Sequence, residues 1–118
     1  DLVVVGGGIA GIAASLKAAR LGLTVALLHD RPVSGGNSSP EVAVGVQGDT
    51  RFQPHPHVGS IVEEIRWAYG RENRGMEDPE VACKYQVSAL EEADVDVFMN
   101  YRVNQVSMIP GGKTIRGV

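Results

Sequence analysis

Residues 2–5 are four apolar positions in a row, Leu2-Val3-Val4-Val5, with no polar residue among them. An unbroken branched run of this kind suits a parallel strand covered on both faces. Apolar positions then recur at helical spacing, Ile9, Ile12, Ala13 and Leu16, with Lys17 and Arg20 opposite them, which predicts a helix over about residues 9–22 closed by Gly22. Leu23 to Leu28 is a second solid apolar run, stopped by Pro32. Ser60-Ile61-Val62-Glu63 has the spacing of a capping box and predicts a helix with Ile61, Val62, Ile65, Ala68 and Tyr69 turned inward and an end near Gly70. Asp78-Pro79 predicts another start, followed by a packing stripe of Val81, Ala82, Tyr85, Ala89 and Leu90. Val95 to Met99 reads as a third strand, and Tyr101–Ile109 with Lys113–Val118 as a β-hairpin around Pro110-Gly111-Gly112.

Strand, helix, strand, helix, strand is the order of an α/β fold with a parallel sheet, joined by right-handed crossovers. The expected strand order is 3-2-1, which leaves the first strand at an edge that awaits partners from further sequence. Residues 1–118 are therefore expected to be the N-terminal part of an incomplete Rossmann-like domain, with the substrate domain elsewhere. The segment from Val33 to about His57 fits no period. Loops of that length in a compact domain are usually functional, so an ordered, ligand-facing segment is expected there.

The residues between the first strand and first helix carry chemistry. Gly6, Gly8 and Gly11 have G-x-G-x-x-G spacing. In that pattern the first glycine permits the tight turn, the second lets the backbone approach a pyrophosphate, and the third lets helix pack on strand. The free N–H groups and positive end of a helix beginning near Ile9 would then meet the phosphates. An acidic residue about 20 positions on normally accepts from the adenosine ribose hydroxyls. His29 stands at that place and Asp30 follows it, so either is a candidate. Arg31 keeps a 2′-phosphate, and so NADP, open. A second cluster, Gly35-Gly36-Asn37-Ser38-Ser39, offers more backbone N–H groups and short polar side chains for phosphate or ribitol oxygens.

Composition narrows the partners. A net charge of −3 with scattered Lys and Arg gives no basic stripe for nucleic acid. No apolar run is long enough to span a membrane, and a cytoplasmic location is expected. The single cysteine, Cys83, reads as a small core residue on a helix. His55 and His57 lack a third ligand at metal spacing, so no metal site is expected. Glu63-Glu64 and Glu91-Glu92 read as solvated helix faces.

Val3 to Ala14, taken with Asp30 to Ser39, resembles the FAD-dependent oxidoreductases that have the glutathione-reductase-like FAD-binding fold. The resemblance implies a flavin enzyme that moves hydride or electrons between a small-molecule substrate and FAD. It implies that Gly6, Gly7, Gly8, Ile9, Ala10 and Gly11 hold the pyrophosphate, and that His29 or Asp30, beside Arg31, holds the ribose. Gly35, Gly36, Asn37 and Ser38 would lie along the pyrophosphate toward the flavin, and the backbone of Val103 would meet adenine. His29 departs from the family's usual glutamate. An NAD(P)-dependent dehydrogenase, or a nucleotide-binding module without turnover, uses the same βαβ unit and remains an alternative.

Overall fold

The computed structural model describes residues 1–51, 53–57, 59–67 and 78–118. Strands β1 (Leu2–Val5), β2 (Val25–His29) and β3 (Val95–Met99) form one parallel sheet in the order β1-β2-β3. Leu2 pairs with Val25 and Val25 with Val95, so the three strands start level, and β1 ends one residue before the other two. Helix α1 (Ile9–Arg20) links the first two strands, and α3 (Pro79–Glu92) leads into the third. Between them lies the short α2 (Ser60–Ile65). A separate antiparallel pair, β4 (Ser107–Met108) and β5 (Ile115–Gly117), is the hairpin, with strands much shorter than the flanking runs suggested. The expected α/β class and strand order are both present.

The core lies on one face of the sheet. Ile12 and Leu16 of α1, Val25 and Leu27 of β2, Ile65, Leu90 and Val95 are buried together there. On the other face Val3 and Val5 are 46% and 56% exposed, so β1 alternates instead of being covered on both sides. The reason is that the helices pack against the side presented by Leu2, Val4, Val25, Leu27, Val95 and Val97.

Local signals set two helix ends differently from expectation. At α2 the cap is Gly59 and Ser60 is already helical, with its hydroxyl on the His57 carbonyl. Glu63 does not reach back to close a capping box, because its carboxylate takes the Thr50 hydroxyl at 2.6 Å and Arg51 at 3.2 Å. At α3 the expected cap holds: Asp78 accepts from the N–H groups of Glu80 and Val81. The buried stripe of α3 is Ala82, Cys83, Gln86, Ala89 and Leu90, while Val81 and Tyr85 are exposed. The stripe is rotated because Gln86 is drawn inward by two hydrogen bonds. Ala68, Tyr69 and Gly70 lie outside the described residues. Among the described residues no helix is long and apolar enough to cross a membrane, and no three His, Cys, Asp or Glu side chains gather as a metal site.

Candidate functional site

The glycine turn after β1 continues the sheet and then releases the chain into a helix. Gly6 takes φ 108° and its N–H still bonds the Leu28 carbonyl at 2.8 Å. Gly8 caps α1, and its carbonyl accepts the first helical bond, from Ile12. Gly11 lies so close to the turn that a Cβ there would collide with the Gly6 carbonyl oxygen. No acidic residue stands in the first turn of α1, whereas Lys17 and Arg20 occupy its last. The first turn of the helix thus carries no acidic side chain to compete with a bound anion.

The second glycine cluster folds onto the first. Gly8 and Gly35 form a parallel bridge, and the Gly35 N–H donates to the Gly7 carbonyl at 2.8 Å. Gly35 and Gly36 have φ of 105° and 60°, and a turn of 3-10 helix follows over Gly36–Ser38. A Cβ on Gly36 would stand 3.1 Å from the Gly8 Cα, so the two backbones approach as closely as glycine permits. Gly8 itself has φ −75° and ψ 173°, open to any residue, and a Cβ there would meet nothing nearer than Gly36 Cα at 3.9 Å. Among the described residues nothing requires glycine at position 8. The bare backbone faces outward, which suits a ligand approaching where a Cβ would otherwise project.

Not every polar group of the second cluster faces that space. The Ser38 hydroxyl donates to the Val44 carbonyl at 2.7 Å, so it is not the free donor that the sequence suggested. The side chain's proton is taken by the loop it supports. Asn37 remains exposed. Val42 and Val44, within the irregular segment, are exposed.

At the far end of β2, His29 is buried against the turn, its Cγ only 2.9 Å from where a Cβ on Gly7 would stand. Its Nε2 lies 3.1 Å from the Val33 carbonyl, an acceptor only, so Nε2 is the ring nitrogen that donates there and Nδ1 is the other. That Nδ1 is buried and has no hydrogen-bond partner among the described residues. The Asp30 carboxylate stands 3.9 Å from it through Oδ1, while Arg102 holds Oδ2 at 3.2 Å. The Asp30 carboxylate is thus an acceptor open to a diol hydroxyl, while the His29 Nδ1 beside it is buried. Arg31, by contrast, is held by Glu41 at 2.8 Å. Its guanidinium already has a carboxylate.

Asp30, Gly6, Tyr101, Arg102 and Val103 line a cleft of about 330 Å³ over the carboxyl ends of β1 and β2. That is where open α/β sheets receive ligands. The fold thus brings Val103 beside Asp30 although they are far apart in sequence, through the Tyr101 N–H on the His29 carbonyl at 2.9 Å. Arg102, Trp67, Ser34 and Gln86 were not legible as site neighbours. Their partners are set by tertiary contacts, and no local spacing announces them.

Away from this cleft the charges pair with one another. Arg20 holds Glu64 through two bonds of 2.9 and 2.7 Å, keeping that carboxyl below the usual range and its own guanidinium above. The Thr50 hydroxyl and then Arg51 hold Glu63 low. Tyr85 is pushed up by burial and by Glu64 beside it. Glu63 and Glu64 are thus bonded, and not the merely solvated face expected.

Three comparisons bear on this arrangement. The family model described as FAD dependent oxidoreductase matches residues 1–118. Dihydrolipoyl dehydrogenase from Manduca sexta is 28% identical over 121 residues, covering 98% of this chain. The crystal structure of Thermovibrio ammonificans THI4 superposes with a TM-score of 0.64 over 99% of the chain at 21% identity, a likeness of fold. The chain spans 23% of the length of the first relative and 44% of the second.

Proposed function

The chain belongs to the FAD dependent oxidoreductase family, and from that premise we propose that residues 1–118 hold the adenosine diphosphate part of FAD and the start of its ribitol. The family accounts for the cofactor; the close approach of Gly8 and Gly36 is the observation that carries the residue assignment. Between them and the open end of α1, the backbone N–H groups of Gly7, Gly8, Ile9, Ala10 and Gly11 would receive the pyrophosphate, with Gly6 making the turn. Gly35, Gly36, Asn37 and the backbone of Ser38 would continue along it toward the flavin.

The Asp30 carboxylate would accept from the ribose hydroxyls, with His29, buried beside it against Gly7, supporting the turn. Arg102 orients the carboxylate by holding one of its oxygens, and the backbone of Val103 would border adenine. Arg31, committed to Glu41, supports an unphosphorylated ribose over the 2′-phosphate of NADP. Bound there, the isoalloxazine supplies the redox chemistry. In this reading the whole protein is an oxidoreductase acting on a small molecule, and these residues position the cofactor.

The test is the visible spectrum of the purified full-length protein. Oxidised-flavin bands, released as FAD on denaturation, bleached by dithionite and recovered with an electron acceptor, are the expected result. A colourless protein stabilised by added NADPH would overturn the reading. A flavin that bleaches but is reoxidised by no acceptor would favour a module without turnover.

A further inference from the structure

The second glycine turn has few anchors of its own. Besides Gly35 on Gly7 and the local bonds of Asn37 and Ser38 to Val44, its position is fixed by two side chains from later in the chain. The Trp67 indole donates to the Ser38 carbonyl at 2.7 Å, at one end of the turn. At the other end the Ser34 hydroxyl donates to the Gln86 side-chain oxygen at 2.7 Å, with the Cys83 carbonyl a longer alternative acceptor at 3.2 Å. The Gln86 amide nitrogen in turn donates to the Ile65 carbonyl at 2.8 Å, two residues before Trp67. Ser34, Gln86 and Trp67 are all essentially inaccessible to water.

A buried amide is costly unless its donor and acceptor are both used, and here both are. Packing alone would be served better by a leucine at that place on α3, between Cys83 and Leu90. The amide therefore buys orientation: it ties Ser34 to the segment that delivers Trp67. The two clamps close on either side of Gly35–Ser38 and share one support.

We propose that Gln86 and Trp67 are positioning residues for FAD, acting through the Gly35–Ser38 turn without touching the cofactor. This rests on the FAD reading given above. A lost hydrogen bond at either clamp frees the turn, and the expected effect is about tenfold on the FAD dissociation constant. Because both clamps act on the same turn, the double variant loses less than the product of the two single losses.

The experiment uses the full-length apoprotein, titrated with FAD and followed by flavin fluorescence and visible circular dichroism, with folding checked in the far ultraviolet. Trp67→Phe keeps an aromatic ring, smaller than the indole, and removes the N–H; Gln86→Leu removes both amide bonds. Each folded variant is expected to bind FAD about tenfold more weakly, with an altered flavin dichroism. Should Gln86→Leu fail to fold, Trp67→Phe carries the test alone. Folded variants with wild-type affinity and dichroism, however much less stable, overturn the inference and leave the FAD reading standing. A wild-type protein that takes up no FAD overturns both.

Discussion

The two glycine turns do one job by different means. The first, Gly6 to Gly11, is built from consecutive residues: a strand leads in, a helix leads out, and apart from Gly35 and Gly36 against Gly7 and Gly8 its contacts lie within that short stretch or on the neighbouring strand. The second, Gly35 to Ser38, is held by bonds to the nearby Val44 and, at Ser38 and at the preceding Ser34, by side chains 29 and 52 residues away along the chain. A locally built turn stands or falls with the fold around it. A turn held from a distance can be loosened while the fold survives, so the second is where affinity is adjustable and the first is where it is not.

The largest expected effect separates them outright. Gly11→Ala drives a Cβ into the Gly6 carbonyl, so strand and helix must part. Overpacking against backbone costs about 3 kcal/mol or more, a large share of a domain's stability. Chemical denaturation is expected to show that loss together with loss of FAD; a stable Gly11→Ala protein that retains FAD would break the picture of a rigid first turn.

Gly36→Ala is next. A left-handed conformation for alanine costs about 1–2 kcal/mol, and the added carbon meets Gly8 Cα at 3.1 Å. The fold is expected to persist with FAD affinity down at least tenfold, since the turn must move away from Gly8. Equal losses of stability in Gly36→Ala and Gly11→Ala would erase the contrast between the turns.

A smaller effect is expected at the ribose end. Asp30→Asn keeps the shape and loses the charge that Arg102 holds, so FAD affinity measured by titration should fall about fivefold, in the range of one charge-assisted hydrogen bond.

The smallest is a control whose partners belong to neither turn. Glu64, held low by Arg20, contributes stability that is present above the ordinary carboxylate pKa of about 4.3 and is lost as pH falls through its lower folded value. The pair is partly exposed, with side-chain exposures of 42% and 30%, so screening limits the gain to about 1 kcal/mol or less. Glu64→Gln should be slightly less stable than wild type at neutral pH and equal to it in acid, with FAD affinity unchanged at both.

What was legible in the sequence follows the same division. The strand, the turn, α1, β2 and the Asp78-Pro79 cap rest on neighbours within a few residues, and period and spacing reveal them. His29 was visible as a departure from an acidic residue, but not the bond from its Nε2, which depends on the Val33 carbonyl. The inward turn of Gln86 runs against its polarity and becomes intelligible only once Ser34 and Ile65 stand beside it. The capping box at Ser60 had the right letters, yet Thr50 and Arg51, brought up from the preceding loop, claimed Glu63.

The central claim is that both turns bound one FAD site, and Gly8→Ala tests it most directly. Its backbone suits alanine and among the described residues no atom opposes the added carbon, so the apoprotein should melt within a few degrees of wild type. Titration with FAD should then show affinity at least tenfold weaker, because the Cβ stands where the pyrophosphate must pass. Undiminished FAD binding by a folded Gly8→Ala protein would contradict the account.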